Sequence, residues 1–478
     1  MAIKEYDFIM VGGGVAGLVA TSVSAQLGAR VAVVEKHGLG GDCLRTGCVP
    51  TKRLVRSAKI ARLLKRAGEF GMDAGSFKVD FPKVMELVRS TQRTIGERDA
   101  PERFKKMGAD VIFGSGSFMD AHTFEINGER LRARRFLIST GSSPVMPEIP
   151  GLREAGALTN ESALELKALP ASIAIIGGGP IGIEFAQAFS RLGSEVTVLE
   201  KHGQILPRED SEIAESLRDI LVKEGIRIEF HTEIKRVERD GNAKVVYAAS
   251  TDGERACRAE EVMAAAGRSP NVEGLGLAEA GVGYDRRSGI RVDGHLRSTQ
   301  AHIYAAGDVA GPYLFTHVAE YQAGIALGNM VFPLVRRKAD YSAVPWTTFT
   351  DPELARVGLT EKEARDRYGD GISVYRHLFR AVDRAVIDGE AQGLIKVICD
   401  KKKKIIGAHI LGPSAGELIH EYVLAMQNNI PVTGIARTIH VYPTLSMGVK
   451  RSADEYYRER LFSGWLPKAA KRIIRRGK

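Results

Sequence analysis

Short apolar runs alternate with helical periods over the first two hundred residues, the pattern of a parallel sheet covered by helices. Tyr6 to Val11 is a continuous apolar run, as expected of a strand buried on both faces. A glycine turn follows, Gly12-x-Gly14-x-x-Gly17. Leu18 to Leu27 then reads as a helix, and Val31 to Val34 as a second apolar strand closing on Glu35. The unit returns 165 residues later, with Ile173 to Ile176 as strand, Gly177, Gly179 and Gly182 as turn, a helix ending at Gly193, and Val196 to Leu199 leading into Glu200. Both copies finish on the same four residues, Glu35 to Gly38 and Glu200 to Gly203. Such glycines let a backbone approach a pyrophosphate whose charge faces the helix N-terminus, and the terminal carboxylate accepts from ribose hydroxyls. Two copies imply two nucleotides.

Between the copies, Val111 to Ala133 reads as short strands with an Asn127-Gly128 turn, a hairpin inserted in the first unit. Phe136 to Gly141, Val262 to Gly267 and Ile303 to Val309 are further apolar strands, and Phe315 to Met330 is helical. From about Tyr341 the chain alternates strands (344–350, 372–378, 393–399, 404–411) with a helix, 417–427. The expected architecture is α/β, with two Rossmann-like dinucleotide-binding domains and a C-terminal α+β domain. The first domain takes residues 1–145 and 266–338, the second 146–265, the third 339–462, and a basic tail 463–478.

Composition narrows the choice. At 478 residues the chain has room for three or four domains, and 44% apolar residues suffice for several cores. The net charge of +10 brings no interleaved aromatics or nucleic-acid motif, so nucleic acid is not an expected partner. Four cysteines make no disulfide scaffold, the start runs straight into a strand, and no apolar run reaches the ~18 residues of a spanning helix. These features predict a cytoplasmic protein. The tail, Ser463 to Lys478, holds Trp465, Leu466, Ile473 and Ile474 among six Lys or Arg residues, and a short helix there would suit weak contact with an anionic membrane surface.

The candidate chemistry lies in Gly40 to Lys52, GGDCLRTGCVPTK. Pro50 suits a first helical turn, and Leu54, Val55, Ala58, Ala61 and Leu64 continue it at helical spacing. Cys48 therefore falls near a helix N-terminus, where the dipole and Lys52 and Arg53 favour a thiolate; Cys43 could close a short disulfide with it. Cys257 and Cys399 read as packing residues.

This stretch resembles the redox-disulfide motif of the class I pyridine nucleotide–disulfide oxidoreductases, the family of dihydrolipoamide dehydrogenase, glutathione reductase and mercuric reductase. The likeness runs from residue 4 to about 460. It implies that the first fingerprint (Gly12, Gly14, Gly17, Glu35) carries FAD and the second (Gly177, Gly179, Gly182, Glu200) the nicotinamide. Gly141, in ISTGSSP, and Gly267 mark the crossings between the domains. Asp308, in IYAAGDV, belongs to a second FAD motif, and Ala319 to the helix beside the flavin. WTTFTDPELARVGLTEKEA resembles the dimerisation domain and implies a homodimer.

The implied mechanism passes a hydride from NADH through flavin to a Cys43–Cys48 disulfide. Cys48 is then the charge-transfer thiolate, and Cys43 exchanges with a small-molecule or protein-bound disulfide. Lys52 and Glu184 match a pair near flavin N5. Glu200, with Leu206 where NADP-using relatives carry a second Arg, predicts NAD(H). One motif departs: IHVYPTLSM, 439–447, has Tyr442 at the position of the catalytic His and Met447 at that of its Glu partner. A phenol with a pKa near 10 is a poor base at neutral pH. His440 lies two residues earlier and would share a face with Tyr442 on a strand. Neither a metal site nor the C-terminal cysteine pair of mercuric reductases is present. The expected activity is NADH-dependent reduction of a lipoyl-type disulfide. The alternative is a flavin reductase of a quinone or metal ion with the disulfide as relay or regulator.

Overall fold

The computed structural model describes residues 3–250, 253–462, 467, 470 and 472–474. The membrane expectation for the tail rests on residues that lie mostly outside these, Trp465 and Leu466 among them.

The chain is α/β, and its first sheet is built from two separated segments. Ala109–Phe113, Val31–Glu35, Ile3–Val11 and Glu129–Ile138 lie side by side in parallel, and Ile303–Ala305 adds to the last of them from far along the chain. Val11 stands between Val34 and Ile138 in register, so the strand ends that carry the glycine turn and its carboxylate are aligned. The first half of Glu129–Ile138 also pairs antiparallel with Thr123–Ile126, across a turn in which Asn127 and Gly128 have φ of 53° and 77°. Two such residues make the two-residue hairpin turn whose twist matches its strands.

The second sheet is smaller and wholly parallel: Arg227–Glu229, Glu195–Leu199, Ser172–Ile176 and Glu261–Ala264. Between its last two strands in sequence the chain inserts an antiparallel sheet of Glu233–Asp240, Ala243–Ser250 and Gly253–Ala259, which the hydropathy pattern did not announce. The two crossings between domains run together, Ser142–Pro144 pairing antiparallel with Arg268–Pro270. The third sheet is a five-stranded antiparallel one in the order 345–348, 353–358, 405–412, 394–400, 372–378. Helices Ala415–Gln427 and Ser446–Phe462 cover it.

The helix of the cysteine motif starts at Cys48 itself and runs to Lys65. Leu54, Ala58 and Ala61 are buried in one core with Ile183 and Phe185 of helix Pro180–Leu192, whereas Leu64 is exposed. Ion pairs tie the same two helices to the third domain: Asp351 bonds Lys59 at 2.9 Å and Arg191 at 2.6 Å. Lys396, 3% exposed in its side chain, sits among Asp210, Glu212 and Glu361 at 2.7–2.9 Å and joins the second domain to the third. A buried ammonium needs such company, since an unpaired charge there would be strongly destabilising.

Candidate redox site

Gly40 and Gly41 set the geometry. Both have positive φ, 95° and 59°, and a Cβ on Gly41 would lie 2.7 Å from the Cα of Gly14. Backbone therefore packs on backbone, sealed by Gly40 N–H donating to the Gly13 carbonyl at 2.9 Å, and the cysteine turn is laid against the first glycine turn. Asp42 then holds the short helix Gly41–Arg45: Thr46 Oγ1 donates to it at 2.6 Å and Arg268 pairs with it at 3.3 Å.

Cys43 and Cys48 are both free thiols. Cys43 donates a hydrogen bond to Cys48, and this contact does most to pull the Cys48 thiol down to about 6. Burial and Asp42 oppose the shift, while Thr316 and Lys52 favour it. The Cys43 thiol is pushed up, first by the same hydrogen bond and then by burial. Cys48 is thus the thiolate and Cys43 the thiol. Thr316 Oγ1 lies 3.4 Å from Cys48 Sγ and is the first residue of helix Thr316–Val331, so two helix N-termini converge on that sulfur. Phe315, stacked on Trp346 at 5.8 Å and on His317 at 5.4 Å, fixes the turn that presents Thr316.

Lys52 reaches Glu184 at 2.7 Å, and Glu184 is buried. The cofactor-binding candidates separate into two kinds. A Cβ on Gly12 would meet Ser139 O at 2.4 Å and one on Gly17 would meet Gly12 O at 1.9 Å; Gly177 and Gly182 are as tight, against Ala265 O at 2.6 Å and Gly177 O at 2.1 Å. These four are required by the fold. Gly14 has its nearest atom at 3.9 Å and Gly179 has nothing within 4 Å, so packing does not explain the bare backbone at those two points; Gly141 and Gly267 also face open space, but their φ of 70° and 117° itself favours glycine. That combination fits dinucleotides at both turns. Glu35 accepts from Gly13 N–H at 2.6 Å and His37 N–H at 2.8 Å; Glu200 repeats this with Gly178 at 2.6 Å and His202 at 2.8 Å. Asp308 accepts from the Ser142 hydroxyl at 2.6 Å, and burial raises its carboxyl above the usual range. Arg268 donates to Ser142 Oγ at 2.8 Å, which links Asp308 to Asp42 and the cysteine turn. Ala319 lies in the first turns of the Thr316 helix, buried against Gly307.

The C-terminal candidates part company. Residues 439–447 form no strand, so the shared face expected of His440 and Tyr442 does not exist. His440 turns inward: Nδ1 faces the Thr438 carbonyl at 3.0 Å and Nε2 faces Glu421 Oε1 at 3.0 Å. Both ring nitrogens are therefore engaged within the same chain and turned away from Tyr442's exposed position. Tyr442 is 66% exposed, and its hydrogen bond to Asp383 raises the phenol above its ordinary value. It is a donor, further than usual from being a base. Thr316, Ser142, Arg268 and Asp42 complete the site, and Asp383 stands beside Tyr442. Asp42 and Ser142 fall inside the GGDCLRTGCVPTK and ISTGSSP stretches, whereas nothing local singles out Thr316 or Asp383.

Residues 6–323 match the family described as pyridine nucleotide-disulphide oxidoreductase, and 344–453 match its dimerisation domain. A mercuric reductase of Bacillus cereus is 35% identical over 447 residues, covering 93% of this chain and 70% of that protein. A dihydrolipoyl dehydrogenase of Thermus scotoductus is 36% identical over 461 residues, covering 96% and 98%. Among solved structures, the Cu(II) complex of the HOCl-induced flavoprotein disulfide reductase RclA from Escherichia coli superposes with a TM-score of 0.85 at 29% identity, over 95% of this chain and 99% of that one.

Proposed function

The chain belongs to the pyridine nucleotide-disulphide oxidoreductase family, whose members use FAD and NAD(P)H, and from that premise we propose that it works as an NADH-dependent reductase of a disulfide acceptor. The observation that carries the reading is the cysteine pair, one sulfur held as thiolate beside two helix N-termini and the other held as thiol. FAD, where bound, supplies two-electron transfer between the nicotinamide and the sulfurs. The residues that would hold it are Gly12, Gly14, Gly17, Glu35, Gly141, Asp308 and the start of the Thr316 helix. Gly177, Gly179, Gly182, Glu200 and Gly267 would hold the nicotinamide nucleotide. Glu200 favours NADH, since a carboxylate accepts from a 2′-hydroxyl and repels a 2′-phosphate.

In the sulfur half of the cycle, one NADH opens the Cys43–Cys48 bond to a thiol and a thiolate. Cys43 gives its proton to the Cys48 thiolate and, now the thiolate itself, attacks one sulfur of the acceptor disulfide, whose S–S bond breaks. Cys48 then attacks the mixed disulfide, the internal bond reforms, and the acceptor leaves as two thiols. The first departing sulfur takes back from Cys48 the proton given by Cys43, and the second takes one from solvent; Tyr442, beside Asp383, would position the acceptor. Within a homodimer, the expected assembly, Tyr442 would serve the partner's cysteine pair. The same phenol is unsuited to withdraw a proton from a dithiol, so dihydrolipoamide turnover should be slow.

A second reading has its own support. A mercuric reductase and a Cu(II)-bound flavoprotein disulfide reductase are among the similar proteins, and a thiol–thiolate pair suits a soft or borderline metal ion as electron acceptor. Steady-state turnover of the flavin-loaded protein, with NADH and NADPH, against lipoamide, Cu(II), Hg(II) and a soluble quinone, separates these. Turnover of lipoamide with NADH preferred supports the first reading. Turnover of only a metal ion or quinone replaces it.

A further inference from the structure

The Lys52–Glu184 pair is completed by a third residue from the third domain. Phe349 follows strand Pro345–Thr348 and meets both members at once: its N–H donates to Glu184 Oε1 at 2.8 Å, and the Lys52 ammonium stands 4.5 Å from the centroid of its ring. Glu184 Oε2 takes Lys52 at 2.7 Å, so both carboxylate oxygens are engaged and the carboxylate cannot swing away. The Glu184 side chain is 8% exposed and that of Lys52 is 33% exposed, so the ammonium sits at the edge of the protein with its far side unconstrained by Glu184. An ammonium on a four-carbon stem has wide rotamer freedom; a single ion pair fixes its distance from one oxygen but not its direction. A ring face supplies the second constraint.

The ring is itself held. Thr348 and Thr350 on either side are buried, and Asp351 N–H donates to Gln187 Oε1 at 2.8 Å. Asp351 also bonds Lys59 on the Lys52 helix and Arg191 on the Glu184 helix. Segment 348–351 is therefore stapled to the two helices that carry the ion pair, two turns away from it along each.

We propose that Phe349 is a positioning residue for Lys52, its ring face and its backbone N–H together aiming the ammonium that acts at the flavin side of the relay. The inference rests on the functional reading above and on the resemblance that puts Lys52 and Glu184 near flavin N5. It makes the two-electron transfer depend on the docking of the third domain, through one side chain.

The test uses the flavin-loaded full chain in two measurements. The first is the rate of flavin reduction by NADH in a single turnover. Phe349→Leu keeps apolar bulk and the N–H but loses the ring face, and reduction should slow roughly 3- to 30-fold, the range between an exposed and a desolvated cation–π contact. Phe349→Tyr keeps the face and should stay within about twofold of the wild type. The second measurement needs no turnover: 13C NMR of reductively methylated lysines, with the Lys52 resonance assigned by its loss in Lys52→Arg. Ring current should shift it upfield in the wild type and in Phe349→Tyr, and not in Phe349→Leu. An unshifted Lys52 resonance in the wild type overturns the inference whether or not any variant folds. So do equal losses of rate in the Leu and Tyr variants. Lys52→Met reducing at the wild-type rate would instead remove the role of Lys52, and with it the reading on which the inference stands.

Discussion

Replacing Thr316 with Val tests how the thiolate is made. The hydroxyl is 3.4 Å from Cys48 Sγ, and Val removes it at nearly constant volume. Cys48 lies at about 6 against an ordinary 9.0, so at pH 7 roughly ten of eleven molecules carry the thiolate. Cys43 is the largest cause of that lowering, with Thr316 and Lys52 adding to it against burial and Asp42. A hydrogen bond to a charged group contributes about 1.5–3 kcal/mol, and a contact this long to sulfur belongs at the lower end. Since a tenfold change in an equilibrium is about 1.4 kcal/mol, Thr316→Val should raise the Cys48 thiol by about one pH unit. The assay is alkylation of the dithiol form by iodoacetamide across pH 4.5 to 9, with peptide mapping to separate Cys48 from Cys43. The wild-type midpoint for Cys48 should lie near 6 and the variant's near 7. Coincident midpoints, or a wild-type midpoint above 8, would refute the reasoning.

The two kinds of glycine give opposite phenotypes. Gly17→Ala, whose Cβ would meet Gly12 O at 1.9 Å, should cost about 1–3 kcal/mol of stability; Gly179→Ala should melt like the wild type and weaken NADH binding at least about tenfold. Equal melting losses would contradict this. His409 is buried with Nδ1 unpartnered, and burial pulls its imidazole from 6.5 down to about 4. The unfolded chain takes up the proton from about pH 6.5 and the folded chain only near 4. This stability is therefore full above 6.5 and lost as pH falls between the two, by about 1.4 kcal/mol per pH unit. Urea midpoints at pH 7 and 5.5 should separate more in the wild type than in His409→Gln, and equal separations would remove His409 as the cause. For the missing base, Tyr442→His alone should raise dihydrolipoamide oxidation only in part. Adding Met447→Glu should bring the gain to 10²-fold or more, and no gain in the double variant would show the base to lie elsewhere.

The two glycine turns were legible because their constraints are local and backbone-borne. Gly12 against Ser139 O and Gly177 against Ala265 O impose the same spacing twice, and Glu35 and Glu200 close the same hydrogen bonds. The cysteine turn was legible for a similar reason, since Gly40 and Gly41 are what its packing on Gly13 and Gly14 demands. Contacts made across domains left no local mark. Thr316 meets Cys48 from 268 residues away and Phe349 meets Glu184 from 165, and both residue types are ordinary at the start of a helix or the end of a strand. The sheet of 233–259 was missed because its outer strands alternate charged residues with few apolar ones. Residues 439–447 show the opposite case, a strand-like pattern with no strand. Ile439 and Val441 mimic strand alternation, yet they are 95% and 74% exposed, on the domain that matches the family's dimerisation domain.

The central claim is that electrons from NADH reach the sulfur pair. Its most direct test is an anaerobic titration of the flavin-loaded protein with NADH, counting reactive thiols after a quench in denaturant. Oxidised protein should show two thiols per chain, Cys257 and Cys399, and protein reduced by one equivalent of NADH should show four, with the new pair mapped to Cys43 and Cys48 and absent in Cys48→Ser. A flavin bleached by NADH while the count stays at two would contradict the account.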